Sequence, residues 1–133
     1  SEEWTIEKIL KETNNFPEKE FFIQVGGGAS GIILTDKELE NKVTGAGAII
    51  VYEKEKTDSR KLMKKWVDFY FNENCGKCVP CREGIYRIKE ILDGDNMDME
   101  KLKDILFVLK ETSFCPLGKG VSTPFESFLE KIY

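Results

Sequence analysis

The spacing of apolar residues changes along the chain and divides it into two parts near residue 57. In the first part the apolar residues come in short runs, which are typical of strands. These runs predict strands at residues 21–25, 32–34 and 48–52, and the last is a continuous apolar run of the buried kind. Short helices are expected at residues 5–10 and, starting at the cap Asp36, at residues 36–43.

From Asp58 onward, apolar residues recur at spacings of three and four, which is typical of helices that bury one face. The first predicted helix is capped by Asp58 or Ser59, the second stops at Gly94, and the third starts at the cap Asp98. Their predicted core positions are Leu62, Met63, Trp66, Val67, Tyr70, Ile85, Ile88, Leu92, Leu102, Ile105, Leu106 and Leu109.

A fourth helix is predicted from a capping box, with Thr123 as N-cap, Pro124 at the first position and Glu126 at the third. Its core positions would be Phe125, Phe128, Leu129 and Ile132, and the aromatic stripe of the first helix is also expected to be core: Trp66, Phe69, Tyr70 and Phe71. The predicted fold class is therefore α+β, with a small α/β module at residues 1–56 followed by a four-helix bundle at residues 57–133.

Composition and charge exclude several functions. The chain has 133 residues, 33% of them charged, and a net charge of −4. Because there is no basic excess to neutralise phosphates, nucleic-acid binding is not expected. The apolar runs are too short for a transmembrane helix, and the acidic N-terminus lacks a signal-peptide pattern. We therefore expect no membrane insertion, and thiols that stay reduced.

Four cysteines form the most specific chemical pattern in the sequence. Cys75, Cys78 and Cys81 are followed at a distance by Cys115, which gives the spacing C-x2-C-x2-C-x33-C. A cubane iron–sulfur cluster takes one thiolate at each of four corners, and a tight triplet with one remote cysteine can supply them. The chain has no histidine, so a metal site would consist of sulfur or carboxylate ligands. The spacing thus favours a [4Fe-4S] cluster.

The predicted surroundings of these cysteines favour thiolates, which are the form that binds metal. Cys81 would lie near the N-terminus of the second bundle helix, where the helix dipole stabilises negative charge. Lys77 and Arg82 add positive charge beside the triplet. After Cys115, Pro116 is expected to prevent helical continuation, and the glycines that follow would allow a tight backbone approach.

The residues alone leave two other interpretations of the cysteines open. One is a zinc ion with four cysteine ligands, although zinc sites more often split their cysteines two and two. The other is a thiol–disulfide pair at Cys75 and Cys78, which would leave two cysteines without a role.

A glycine motif at residues 26–31 matches G-x-G-x-x-G after a predicted strand, with Glu53 downstream where a ribose-binding acid would lie. A dinucleotide fingerprint must open a long helix, whereas residues 32–34 predict a strand. A glycine-rich hairpin is therefore the default interpretation.

Residues 74–84, with the sequence N-C-G-K-C-V-P-C-R-E-G, resemble the cluster loop of the NADH-binding flavoprotein subunit of respiratory complex I. Similar subunits occur in NAD-linked hydrogenases and formate dehydrogenases. The family pattern is S-C-G-x-C-x-P-C-R-x-G with a later C-x-L-G, which residues 115–118 match. The glycine segments at 26–31 and 45–51 resemble the ubiquitin-like module, called SLBB, that precedes the cluster bundle in this family.

The resemblance implies an SLBB-like module at residues 1–56 and a 4Fe-4S helical-bundle domain at residues 57–133. One [4Fe-4S] cluster would be ligated by Cys75, Cys78, Cys81 and Cys115. The implied function is a relay of single electrons in an NADH-dehydrogenase-type or hydrogenase-type oxidoreductase, and the implied partners are its flavin- or iron–sulfur-bearing subunits. The family's FMN and NADH domain has no counterpart in this sequence, so no FMN or NAD site and no complete active site are expected.

An alternative function is a partner-docking module whose four cysteines hold a structural metal, either zinc or a cluster. The expected location is cytoplasmic, including the periphery of a membrane-bound complex.

Overall fold

A computed structural model of the chain describes residues 4–43 and 47–133. One compact unit comprises the residues up to Thr57 together with Ser127–Tyr133, and the other comprises Asp58–Glu126. The described residues form helices and one antiparallel sheet, so the predicted α+β class is confirmed. Gly45 and Ala46, which belong to the second glycine segment, lie outside the described residues.

The first unit is built on a three-stranded antiparallel sheet in the order β2–β1–β3. β1 spans Phe21–Val25, β2 spans Ile32–Thr35 and β3 spans Ile49–Glu53. Ile23 in β1 lies opposite Val51 in β3. β1 has a neighbouring strand on both sides, and all five of its residues are buried. β3 has only β1 beside it and is half-buried, not fully buried as its apolar run predicted.

Helix α1, Ile6–Glu12, contributes to the core on one face of this sheet. It starts at Thr5, whose Oγ1 accepts a hydrogen bond from the Lys8 backbone N–H at 3.3 Å. This core consists of Ile6, Leu10, Phe21, Ile23, Val25, Leu34 and Leu39. On β1, Phe22 alternates with these residues and packs on Phe128, with ring centroids 5.7 Å apart.

The glycine segment between β1 and β2 forms a hairpin, as the default interpretation predicted, since the two strands pair antiparallel. Buried Gln24 supports it by donating a hydrogen bond from Nε2 to the Gly31 carbonyl oxygen at 3.1 Å. A Cβ at Gly31 would stand 2.5 Å from the Gly27 carbonyl oxygen, so only glycine fits there. The glycines therefore serve a tight turn and do not open a helix for a dinucleotide.

The second unit consists of helices whose caps confirm the sequence prediction. Asp58 accepts a hydrogen bond from the Lys61 backbone N–H at 3.2 Å, and Asp98 accepts one from Lys101 at 3.1 Å. The core includes Trp66, Ile85, Ile88, Leu92, Leu102, Leu106, Leu109 and Phe125, each 0% exposed. The helices are α2 Ser59–Glu73, α3 Val79–Asp93, α4 Met99–Thr112, α5 Pro116–Gly120 and α6 Ser122–Lys131, the last of which ends in the first unit.

Two helix boundaries after Cys115 differ from the prediction. Pro116 begins the short helix α5, which the sequence analysis did not predict. Proline is well suited to the first position of a helix, because its missing N–H has no intrahelical partner there. α6 begins at Ser122, two residues before the predicted start, so Thr123 lies inside the helix and is not its N-cap.

Three further expectations were wrong. The helix predicted for residues 36–43 is only a 3-10 turn, Asp36–Glu38, capped by Thr35. A second 3-10 turn, Lys54–Lys56, follows β3. Phe69 and Phe71 are 44% and 40% exposed, so only half of the aromatic stripe belongs to the core. Ile105, Leu129 and Ile132 are half-buried, not fully buried.

Among the described residues, no helix has the length and apolar character needed to cross a membrane.

Candidate metal centre

The four cysteines lie at helix ends in the second unit. Cys75 follows α2 and is exposed, and Cys78 is the N-cap of α3 and is buried. Cys81, also buried, lies in the first turn of α3, as the sequence predicted. Cys115 is the N-cap of α5 and is partly buried. Three helix ends therefore carry the four thiols, and none of the thiols is joined in a disulfide.

Side-chain hydrogen bonds fix the loop that carries the triplet. The Asn74 amide group Nδ2 donates to the carbonyl oxygens of Tyr70, at 3.2 Å, and Phe71, at 2.8 Å, which closes the end of α2. Its Oδ1 accepts the Gly76 backbone N–H at 3.0 Å. Arg82 then reaches back from α3, and its Nη1 donates to the Gly76 carbonyl oxygen at 2.9 Å. The loop is thus held from both of its flanking helices.

The segment after Cys115 is held by α5 and by α2. The Lys119 backbone N–H donates to the Cys115 carbonyl oxygen at 3.3 Å, which is the first bond of α5. The Tyr70 hydroxyl donates to the Gly120 carbonyl oxygen at 3.2 Å. Burial raises the pKa of Tyr70 to about 12, so this hydroxyl keeps its proton at neutral pH and remains a donor.

Hydrogen bonds, burial and the charges of neighbouring thiols shift the pKa values of two of the cysteines. The Phe114 backbone N–H donates a hydrogen bond to Cys78 Sγ and, with a further N–H from Cys81, lowers the pKa of Cys78. Burial, together with the thiolate charges of Cys78, Cys115 and Cys75, raises the pKa of Cys81 to about 11, opposite to the direction expected from its place at the start of α3. The pKa of Cys81 therefore depends on the charges of all three other thiols. This places Cys115 in the same region as the triplet.

A close contact lies beside Cys81, on the side of α5. A Cβ at Gly118 would stand 2.5 Å from Ser113 Oγ and 3.2 Å from Cys81 Cβ, so the glycine lets these residues approach. Ser113 is 4% exposed, and its hydroxyl has no hydrogen-bond partner in the part of the chain that the structure describes. This donor set, with thiols, an N–H aimed at sulfur and an unused hydroxyl, fits a cofactor that has several sulfur acceptors.

Within residues 4–43 and 47–133, no three His, Cys, Asp or Glu side chains are grouped as ligands for one metal ion. In a cubane cluster each thiolate binds a different iron, so the four sulfurs stay apart. The assignment of the four cysteines as ligands stays a prediction.

Sequence reasoning missed two groups at this centre. The Phe114 N–H belongs to the backbone, and no residue type signals that it points at sulfur. Ser113 at the end of α4 resembles an ordinary helix-terminal serine, and its backbone N–H does bond to the Leu109 carbonyl oxygen at 3.2 Å. Arg82, predicted as a nearby charge, instead holds the loop through the Gly76 carbonyl group.

Comparison with known proteins identifies the family of this chain. The profile of a family described as the NADH-ubiquinone oxidoreductase-F iron-sulfur binding region matches residues 61–132, more than half of the chain. The NADH-quinone oxidoreductase F subunit of Mycobacterium tuberculosis (strain ATCC 25618 / H37Rv) is 32% identical over 121 residues, which cover 78% of this chain. The NADP-reducing hydrogenase subunit HndC of Solidesulfovibrio fructosivorans is 31% identical over the same length.

The matched part spans about a quarter of these relatives, 27% of the former and 24% of the latter. Among solved structures, an NAD+-reducing [NiFe]-hydrogenase in the H2-reduced state superimposes with a TM-score of 0.82 over 97% of this chain and 24% of that chain. Their sequence identity is 21%, so this likeness concerns the fold. The chain therefore belongs to the NADH-ubiquinone oxidoreductase-F iron–sulfur binding family, an electron-transfer family whose cofactor in this region is a [4Fe-4S] cluster.

Proposed function

We propose that this chain relays single electrons in an NADH-dehydrogenase-type or hydrogenase-type oxidoreductase through one [4Fe-4S] cluster. The proposed ligands are Cys75, Cys78, Cys81 and Cys115. The observation that carries the proposal is that α5, whose N-cap is Cys115, packs against Cys81. A Cβ at Gly118 of α5 would stand 3.2 Å from Cys81 Cβ, which supports the proximity of the remote cysteine to the triplet. A cluster bound there would supply one-electron exchange without a proton transfer or a group transfer by the protein.

The surroundings of Cys78 would prepare its thiol for iron, whereas those of Cys81 favour the protonated thiol. Iron binds thiolates, and the N–H groups of Phe114 and Cys81 stabilise the thiolate of Cys78. Cys81 keeps its proton at neutral pH while no metal is bound, because its pKa is about 11. Metal binding must therefore displace the Cys81 proton, so assembly of the site should release protons.

Two large apolar side chains next to the ligands favour contact with another protein. Val79, which follows Cys78, is 59% exposed, and Phe114, which precedes Cys115, is 85% exposed. Contiguous exposed apolar surface often marks an interface, and these two side chains would contribute to such a surface around the thiols. We propose that a flavin- or iron–sulfur-bearing subunit of the same complex covers this face. The relatives are themselves named as subunits, which supports the proposal.

Residues 57–133 are proposed as the cluster-binding domain, and residues 1–56 as an SLBB-like module. The proposed location is the cytoplasm, including the periphery of a membrane-bound complex, because four cysteines without a disulfide suit a reducing compartment.

A stepwise reduction of the anaerobically reconstituted chain tests the relay. We expect the broad visible absorption to bleach with about one electron per chain, and a paramagnetic signal of about one spin per chain to appear. Cys115→Ser, reconstituted in parallel, should lose that stoichiometry. A chain that stays colourless and instead binds zinc would contradict the proposal and favour a structural metal.

A further inference from the structure

We propose that Ser113 is a positioning and tuning residue for the cluster, and that its hydroxyl donates a hydrogen bond to a sulfur atom at the Cys81 corner. The inference rests on the proposed function, since it needs a cluster at the four cysteines. It goes beyond that function because it assigns the control of the midpoint potential to a side chain that is not a ligand.

The first argument is the unused hydrogen-bonding capacity of a buried group. Ser113 is 4% exposed, and its Oγ has no partner among the described residues. Buried hydroxyl groups nearly always have a hydrogen-bond partner, since it is unfavourable to remove a hydroxyl from water without a new hydrogen bond. The backbone of Ser113 is hydrogen-bonded at the end of α4, because its N–H donates to the Leu109 carbonyl oxygen at 3.2 Å. The missing acceptor is therefore not explained by a loosely placed residue.

The second argument is position. Ser113 Oγ and Cys81 Cβ both lie within 3.2 Å of the point where a Cβ at Gly118 would stand. Ser113 also lies directly before Phe114, whose N–H binds Cys78 Sγ, and two residues before Cys115. The segment from Ser113 to Cys115 thus offers a hydroxyl, a backbone N–H and a thiol to the same region. The hydroxyl lacks an acceptor there until sulfur atoms arrive with the cofactor.

The charge of the cluster determines how this hydrogen bond changes the midpoint potential. The reduced form of the cluster is more negative than the oxidised form, so a donor hydrogen bond stabilises the reduced form more. Hydrogen bonds to the sulfurs are among the factors that set the potential of such centres. The Ser113 hydroxyl therefore raises the midpoint potential, and its removal lowers it.

The test compares Ser113→Ala with the reconstituted wild-type chain, at equal iron content. We expect the midpoint potential of Ser113→Ala to fall, by about 59 mV if the equilibrium constant for reduction drops tenfold in this one-electron couple. Electron–nuclear double resonance on the reduced protein in D2O should show an exchangeable deuteron in the wild type that is lost in Ser113→Ala. Ser113→Thr, which keeps the hydroxyl, should retain both properties.

The matched control is Ser122→Ala. Ser122 is also buried, at 3% exposure, but its hydroxyl already donates to the Lys119 carbonyl oxygen at 3.1 Å. We expect Ser122→Ala to keep the wild-type potential and deuteron signal. If Ser113→Ala binds the cluster and matches the wild type in both readouts, the inference is overturned and the proposed function stands. If the wild type binds no four-iron cluster, the proposed function fails and the inference fails with it.

Discussion

The Phe114 backbone N–H donates a hydrogen bond to Cys78 Sγ. It joins the loop of the cysteine triplet to the segment of the fourth cysteine, and it lowers the pKa of the Cys78 thiol. A backbone donor has an advantage here, because it holds its position through the fold and not through a side-chain rotamer. The Phe114 side chain, 85% exposed, has no part in this bond.

Replacing Phe114 by proline tests that bond, since proline has no N–H. Ser113, which precedes it, has φ −67° and ψ 145°, a conformation that a following proline favours. We expect Phe114→Pro to lose iron more readily and to raise the apparent pKa for reaction of the Cys78 thiol, measured by alkylation against pH. Phe114→Ala keeps the N–H and is the control. Equal iron retention in the two variants would contradict the role of the backbone donor.

Removal of the fourth thiolate should damage the centre more than removal of a nearby charge. Cys115→Ser should leave a three-iron or oxygen-sensitive centre, because the triplet can still hold three corners. Lys77→Ala should keep the four-iron centre and lower its midpoint potential, since a positive charge favours the more negative reduced state. Iron analysis with paramagnetic resonance and a redox titration distinguishes the two. A normal four-iron spectrum in Cys115→Ser would remove Cys115 from the ligand set.

Gly118 is expected to tolerate no side chain. A Cβ there would meet Ser113 Oγ at 2.5 Å, and overpacking of this kind typically costs about 1–3 kcal/mol. Gly118→Ala should therefore lower the free energy of unfolding in urea by about that amount and weaken iron retention. Gly120→Ala is the control in the same helix, since its nearest neighbour, the Tyr70 hydroxyl oxygen, would lie at 3.7 Å. The account of this contact fails if the two variants are equally stable.

Tyr70 gives a prediction for alkaline pH. Tyr70→Phe removes the hydrogen bond to the Gly120 carbonyl oxygen and should cost about 1 kcal/mol at neutral pH. Burial raises the folded-state pKa of Tyr70 from 10.0 to about 12, so its favourable contribution is complete below pH 10 and is lost as the pH rises to 12. The stability difference between wild type and Tyr70→Phe should therefore shrink between pH 10 and pH 12.

Urea unfolding followed by circular dichroism measures that difference. Tyr86→Phe is the control, because Tyr86 is 47% exposed, and it should change the free energy of unfolding little at any pH. A wild-type advantage over Tyr70→Phe that grows between pH 10 and pH 12 would contradict the assignment.

The sequence predicted the long elements well because their signals are local. Asp58 and Asp98 cap helices through hydrogen bonds to residues three positions ahead, and such a signal can be read from neighbouring letters. The sequence prediction failed where the burial of a side chain depends on residues far away in the chain. The exposure of Phe69 and Phe71 depends on which face of α2 the other helices cover. Helical spacing alone does not show whether an apolar face is covered or exposed.

At the site, spacing pointed to the four cysteines, and the family match supports the kind of cofactor, whereas the individual ligands stay a prediction. The surroundings of the thiols could not be predicted. Pro116 was expected to prevent continuation of the preceding helix, which does end at Thr112, but the helix α5 that begins at Pro116 was not predicted. The unused hydroxyl of Ser113 is recognisable only once its burial and its neighbours are known.

The most direct measurement of the central claim is a joint count of iron, acid-labile sulfide and reactive thiols in one anaerobically reconstituted sample. The account predicts about four irons and about four sulfides per chain, with all four cysteines protected from alkylation until the cluster is removed. Two disulfides, or one zinc ion per chain without sulfide, would contradict it.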